Sequence, residues 1–348
     1  MGWITHGHPE HGLPDSLPVI LDRQWQRFLR ARGVDPTGAT LRRLDGGEIN
    51  DNWLVRTGNG AWVLRHYLRT SDAAELDCEL SAVDQLGRAG FPTPAPIPGA
   101  ETDHRRRLWE PIDGTPAALF PFIRGDHPQE RSGGYGSLDR RLAERAARLA
   151  ARMHTTLAGK ALTGRRAPSR DPWRQIAAFL DSDLAGHRLF AELITPMAQV
   201  RERLAQVYSR PDDLPSGLIH NDIRPPNLLL EDGEIVALLD FDDSAQTFLA
   251  YELGALVSNF GKDQDRRVEL DRVLELITAY DAERPLTAAE RAVLPELLTA
   301  HAGSDAIRVI AHWIADGHDA VDTLDSYSAR ELLDLANLSE ALHTELGE

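Results

Sequence analysis

Strand-like and helix-like segments are sorted along this chain rather than interleaved, and that order restricts the fold more than any other feature. Residues 40–44, 52–57 and 61–66 read as strands, the last two joined by Gly58-Asn59-Gly60, a hairpin turn signal. Residues 108–110 and 117–123 are the next strand candidates. Beyond Gly125 the periodicity changes. Residues 138–157 form a strongly amphipathic helical pattern, 173–180 and 194–208 follow in kind, and everything from Tyr251 onward reads as helix. The only interruption is a pair of short apolar strands, 228–230 and 235–239, around a polar loop. The fold class is α+β, with a small strand-rich lobe meeting a larger helical lobe near residues 120–124.

Within the first lobe, residues 23–32 read as a short helix. A second helix is expected over 73–89, where Leu76, Leu80, Val83 and Leu86 recur at helical spacing before Gly90. Pro92, Pro94, Pro96 and Pro98 then force an extended path. The domain reading is a flexible tail over 1–20, a first lobe over 21–123, and a helical second lobe over 124–348. A chain of 348 residues is long enough for two lobes with a cleft. No apolar run approaches the ~18 residues that span a bilayer, and the first fifteen residues lack the basic-then-apolar block of a signal peptide. Cys78 is the only cysteine, so no intrachain disulfide forms, and a reducing, cytoplasmic home fits. The net charge of -16, from 38 basic and 54 acidic residues, argues against a nucleic-acid partner and suits either solubility or a cationic ligand. Only Lys160 and Lys262 are lysines; the remaining basic residues are arginines.

Chemistry concentrates in His220-Asn221-Asp222-Ile223-Arg224-Pro225-Pro226-Asn227, followed by Asp240-Phe241-Asp242. Phosphoryl transfer to a hydroxyl asks little of a protein beyond positioning and charge. One carboxylate must orient the acceptor and take its proton, and two oxygen-bearing side chains must hold a magnesium ion against the phosphates. Asp222 can supply the first, Asn227 and Asp240 the pair. A short loop from Asp222 to Asn227 and a hairpin returning at Asp240 would bring the three together. The competing reading is that these residues only cap turns.

This segment resembles the catalytic loop and metal-binding turn of the aminoglycoside phosphotransferase family, which includes homoserine kinases, choline kinases and antibiotic-inactivating kinases. The resemblance implies a two-lobed protein-kinase-like fold, ATP as phosphoryl donor (GTP being also admissible) and Mg2+. It implies Asp222 as catalytic base, Asn227 and Asp240 as metal ligands, and His220 as a support for the loop. Gly47-Glu48-Ile49-Asn50-Asp51-Asn52 is similar to the nucleotide loop of homoserine-kinase-like members, which puts Gly47, Asn50 and Asn52 at the nucleotide. The run from Gly114 into Phe120-Pro121-Phe122-Ile123 is similar to that subgroup's approach to the interlobe hinge, which puts Phe122 and Ile123 beside the base. Leu149 to His154 and Tyr251-Glu252-Leu253-Gly254 are similar to later landmarks. The likeness covers about residues 40–260.

One departure stands out. The family carries a lysine on the third strand, paired with a glutamate on the next helix. Here that position is Arg65, and no lysine precedes Lys160. Arg65 is expected to pair with Glu79 and to hold phosphates bidentately. Arg224, two residues after Asp222, either stabilises transition-state charge or braces the loop.

Only residues 243–250 separate Asp-Phe-Asp from Tyr251, too few for a segment that cradles a peptide, so a small-molecule hydroxyl is the expected acceptor. Intact Asp222, Asn227 and Asp240 argue against a pseudokinase scaffold. His104, His154 and His220 lack ligand spacing, which disfavours a metal-dependent hydrolase. The acceptor is read first as a natural-product antibiotic or related metabolite, with a hydroxy amino acid or amino alcohol as the alternative. Asp242, Asp243, Asp263, Trp313 and Asp316 are the candidate acceptor residues. No membrane association is expected, and the protein is read as a monomer or homodimer.

Overall fold

The computed structural model describes residues 21–44, 50–68, 72–100, 106–128, 139–318 and 321–347. The expected tail over 1–20, and Gly47 with its neighbours Glu48 and Ile49, lie outside the described residues. The chain forms two compact units. One comprises the described parts of Met1–Gln129 together with Gly159–Arg166 and Pro225–Asp242; the other holds the described parts of Glu130–Ala158, then Ala167–Arg224 and Asp243–Glu348.

The first unit is built on a five-stranded antiparallel sheet in the order β1-β2-β3-β5-β4. Its strands are β1 (Thr40–Arg43), β2 (Asp51–Thr57), β3 (Gly60–His66), β4 (Trp109–Ile112) and β5 (Thr115–Pro121). Asp113 and Gly114 both take positive φ, 51° and 82°, the geometry a two-residue hairpin loop between β4 and β5 demands. Alternation along β3 and β5 divides their side chains between two faces. Leu64 and Leu119 join Phe28 and Leu29 of α1 (Arg23–Ala31), whereas Ala118 and Phe120 join Leu76 and Leu80 of α2 (Ala73–Arg88). Asp22 and Asp72 start the two helices by accepting their first free backbone N–H groups.

Two later segments complete this unit. Residues 161–166 run along α2: Gln85 Nε2 donates to the Ala161 carbonyl (2.8 Å), Thr163 N to Ser81 Oγ (3.1 Å) and Arg165 N to the Ala74 carbonyl (3.0 Å). At Gly164, with φ 75°, a Cβ would come within 2.1 Å of the Ala74 carbonyl oxygen, so only glycine lets the strap lie this close. The hairpin β7 (Leu228–Glu231) and β8 (Glu234–Leu238) is tied in by Leu238 N donating to the Pro92 carbonyl (2.8 Å) and by a bridge between Asp126 and Leu230.

The second unit is helical: α3 (Arg140–Leu157), α4 (Pro172–Leu180), α5 (Ile194–Tyr208), α6 (Glu252–Phe260), α7 (Leu270–Glu283), α8 (Ala288–Ala315) and α9 (Tyr327–Leu346). Helix α8 packs against α4, α5, α6 and α9 and is opened by a capping box between Thr287 and Glu290. A two-stranded ladder of β6 (Ser216–Ile219) and β9 (Ala245–Phe248), absent from the sequence reading, sets the ends of the chemistry-bearing loops. Among the described residues no helix is long and apolar enough to cross a membrane.

Candidate active site

The β7–β8 hairpin decides where two of the sequence-predicted residues go. Leu228 pairs with Leu238, so Asn227 and Leu239 face each other just outside the ladder, and Leu239 N donates to the Asn227 carbonyl at 2.8 Å. Asp240 is the next residue, in the left-handed region at φ 66°. A non-glycine residue there costs energy that the surroundings must offset, which is common where a side chain has to be aimed. The Asn227 side chain is fully buried. Amide and carboxylate oxygens are hard donors suited to magnesium, an ion that takes one or two protein ligands and completes its shell with water and phosphate oxygens. The donor chemistry of this pair therefore fits that ion.

On β2 and β3, Asn52 and Arg65 are cross-strand partners, both buried. Asn50, two residues earlier on the same face, accepts from Leu68 N (2.9 Å) and donates through Nδ2 to Asp242. Arg65 Nη2 reaches Asp240 Oδ1 at 2.8 Å and Asp242 Oδ2 at 2.6 Å. The expected partner, Glu79, acts on this guanidinium through its charge. Glu79 itself is met by Arg166 at 3.0 Å and by the Tyr67 hydroxyl at 3.2 Å. Arg166 also donates to the Phe241 carbonyl at 2.5 Å and is wholly buried at its side chain. The strap along α2 delivers that guanidinium to Glu79, which leaves Arg65 to the carboxylates. Burial works to lower the Arg65 pKa, but Asp242 and Asp240 overcome it and hold it well above the usual guanidinium range. Burial, reinforced by the Asp242 charge, pushes the Glu79 carboxyl up to about 7 against the pull of Arg166 and Arg65.

Beside this polar cluster, Val63, Pro94, Pro121, Phe122, Ile123, Leu229 and Leu239 line an apolar slot. Phe122 and Ile123, read from the sequence as nucleotide residues, are both in its wall. Flat apolar walls of this kind suit a planar heterocycle.

The second unit carries Asp222 on a braced loop. His220 N donates to Glu252 Oε2 at 2.5 Å and Asn221 N to Glu252 Oε1 at 2.9 Å, so one buried carboxylate at the start of α6 takes two consecutive backbone donors. His154 Nε2 lies 3.3 Å from the same carboxylate, and its Nδ1 is 2.6 Å from the Tyr280 hydroxyl. Burial acts to raise Glu252, but the His154 contact, the His220 charge and the backbone donors hold it below the ordinary carboxyl value. Asp222 N faces His220 Nδ1 at 3.3 Å. His220 thus supports the loop as the sequence suggested. Arg224 Nε sits 3.0 Å from Asp222 Oδ2, an ion pair with the carboxylate itself. Asn221, at φ 66°, donates its side-chain amide to the Asp243 carbonyl at 3.3 Å.

The sequence-predicted acceptor residues have different local partners. Asp242 belongs with Asn50 and Arg65 in the first unit. Asp263 Oδ1 accepts from Asp265 N (2.9 Å) and Arg267 N (2.8 Å), so its side chain closes its own turn. Trp313 is half-buried near the end of α8, and Asp316 is exposed and paired with His312 at 3.3 Å. Only Asp243 adjoins the Asp222 loop, through Asn221. Sequence reasoning missed Arg166, for which the signal was slight: an Arg-Arg pair after Gly164 in a stretch without helical periodicity. It also missed Asp305 and Arg308, three apart on α8, which form an ion pair. The Asp305 charge, against burial, and the Asp243 charge after it, hold the Arg308 guanidinium above its ordinary value. Tyr327, at the start of α9, interacts with the same two residues.

Known proteins resemble this chain in sequence and in fold. The sequence model of the phosphotransferase enzyme family (APH) matches residues 40–286. The homoserine kinase of Gluconacetobacter diazotrophicus is 30% identical over 272 residues, 77% of this chain and 79% of that protein. Among solved structures, a microcompartment-associated aminopropanol kinase superposes with a TM-score of 0.58 at 21% identity, covering 94% of this chain and 99% of that one. An amicoumacin kinase solved with AMP-PNP and calcium gives 0.58 at 18% identity, covering 88% of each chain. These structural likenesses establish the protein-kinase-like fold that the sequence led us to expect. With the family's sequence model spanning more than two thirds of the 348 residues, this chain belongs to the phosphotransferase enzyme family and is a phosphotransferase.

Proposed function

We propose that the enzyme transfers the γ-phosphoryl group of ATP to a hydroxyl of a small amino acid or amino alcohol. The observation that carries the reading is the seating of Asn227 and Asp240 by one hairpin, with Arg65 on the carboxylates, just downstream of an Asp222 loop fixed by Glu252. Asp222 accepts the acceptor's proton as its oxygen bonds to the γ-phosphorus and ADP departs. Arg224 holds that carboxylate in place through the ion pair at 3.0 Å. Asn227 and Asp240 would hold a magnesium ion, which supplies charge neutralisation at the phosphates. Asn50, Asn52 and Arg65 face the phosphates, and the slot lined by Phe122 and Ile123 takes the adenine. Asn52 supports this: its Oδ1 is buried with no hydrogen-bond partner among the described residues.

For the acceptor, two supports agree. Curated relatives at 27–30% identity are homoserine kinases. Next to the Asp222 loop, the Asp243 carbonyl accepts from Asn221, and the Asp243 charge acts on the exposed guanidinium of Arg308. A mixed pair suits a zwitterion, whose carboxylate and ammonium need opposite partners. A polycationic antibiotic would gain nothing from Arg308. The antibiotic acceptor, which the sequence put first, becomes the second reading on one observation, the net charge of -16. A panel of hydroxy amino acids, amino alcohols, aminoglycosides and nucleoside antibiotics, scored by acceptor-dependent ADP release, separates them. Turnover with a hydroxy amino acid is the expected result. Turnover confined to antibiotics would overturn the acceptor assignment and leave the phosphotransferase intact.

A further inference from the structure

Arg65, the cation directly opposite Asn52 in the sheet, is already engaged. Arg65 Nη2 touches both Asp240 and Asp242, at 2.8 and 2.6 Å, and the three side chains are 7%, 14% and 15% exposed. Screening by salt is weak at such burial. Glu79 on α2 adds its charge to Arg65, while its ion pair is with Arg166 at 3.0 Å, which also donates to the Phe241 carbonyl. Arg65 retains one unspent donor: its Nε is buried and has no hydrogen-bond partner among the described residues. A planar guanidinium with a donor to spare is well matched to phosphate oxygens.

We infer that Arg65 is a removable plug in the metal site. It closes Asp240 and Asp242 against a bare divalent cation and yields them when the phosphates of a nucleotide offer the guanidinium a second partner. The inference rests on the reading of Asp240 as a metal ligand. Its logic is charge: a dication arriving alone must share the same carboxylate oxygens with an arginine that cannot deprotonate. A polyphosphate brings several negative charges, draws the guanidinium towards itself, and supplies the metal's remaining oxygen ligands at the same moment. Metal and nucleotide then bind as a coupled pair, and by linkage each raises the other's affinity by the same factor.

Calorimetric titration of Mn2+ into the full-length protein tests this without reference to activity. The parent is titrated bare, and again after saturation with a non-hydrolysable ATP analogue. The parent should bind bare Mn2+ roughly 100-fold more weakly than the analogue-loaded protein. Arg65→Gln, checked for folding by circular dichroism, should bind bare Mn2+ about 10-fold more tightly than the parent, and adding Asp240→Asn to it should remove that gain. Equal bare and loaded affinities in the parent overturn the plug, and so does an unchanged bare affinity in folded Arg65→Gln. If Arg65→Gln does not fold, Arg65→Met is titrated in its place and read by the same outcomes. Asp240→Asn in the loaded protein separates the two ideas. Loss of Mn2+ affinity there with no effect of Arg65→Gln refutes only the plug; no loss refutes the metal assignment and the plug with it.

Discussion

Asp222 has an ion-pair partner, Arg224, and a backbone N–H facing His220, so its carboxylate is held by neighbours that need not change when it is replaced by an amide. Asp222→Asn should therefore lower kcat by about 100-fold or more while leaving the KM for ATP nearly unchanged; steady-state kinetics with ATP varied will show whether the two parameters separate. Glu79 gives a residue-scale prediction of another kind. Its carboxyl is raised from 4.5 to about 7 by burial and by the Asp242 charge. A carboxyl raised in the folded state binds its proton more tightly there than in the unfolded chain. Its contribution to stability is thus complete below pH 4.5 and is lost as pH climbs through 7. Denaturant midpoints measured without nucleotide or divalent cation should fall across that window, and Glu79→Gln should flatten the fall. At this scale the sequence was informative where spacing is local. Asp222, Asn227 and Asp240 sit on one loop and one hairpin, and His220 is two residues from the backbone N–H it accepts from. It was uninformative where partners are distant: Arg65 meets Asp240 and Asp242 rather than Glu79 because Arg166, far along the chain, reaches Glu79 first.

The strap over α2 and the α6–α8 contact show how whole elements position these groups. Arg166 is buried with Glu79, so deleting the cation strands a carboxylate away from water. Arg166→Ala should cost about 3–5 kcal/mol in unfolding free energy, read from chemical denaturation. Gly254, on α6, lies where a Cβ would meet the Cβ of His301 on α8 at 2.4 Å. Gly254→Ala should thus force the helices apart and cost about 1–3 kcal/mol, with a lowered thermal midpoint as the sign. An unchanged midpoint would mean that the two helices separate without penalty. Most elements were readable from periodicity: the sheet strands, α2, α3 and the hairpin β7–β8 all lie within a few residues of expectation. The ladder of β6 and β9 was not. Its strands are four residues each, Ser-Gly-Leu-Ile and Ala-Gln-Thr-Phe, too short to display alternation. An aspartate that closes a turn and one that binds a ligand look alike in sequence; only the structure shows that Asp263 accepts from Asp265 N and Arg267 N.

For the molecule as a whole, family membership fixes the reaction type more firmly than the substrate, since specificity resides in side chains that the shared fold does not dictate. On the proposed reading of the acceptor, Arg308 is such a side chain. It is 74% exposed and tethered to Asp305, so replacing it should affect acceptor binding more than folding. Arg308→Ala should raise the KM for a hydroxy amino acid several-fold, about 10-fold if a bidentate carboxylate contact is lost, and leave the KM for ATP unchanged. A parallel change in both constants would place Arg308 outside acceptor recognition. The central claim is that this chain moves the γ-phosphoryl group of ATP onto an amino-acid hydroxyl through Asp222, and it is tested most directly by phosphorus NMR of a single reaction. The purified protein is incubated with ATP, Mg2+ and a panel of hydroxy amino acids, beside an identical mixture containing Asp222→Asn. The account predicts a new phosphate-monoester resonance that grows in step with ADP in the parent mixture and is nearly absent from the variant. ADP formed with only inorganic phosphate beside it, or an ester formed equally fast by the variant, would contradict it.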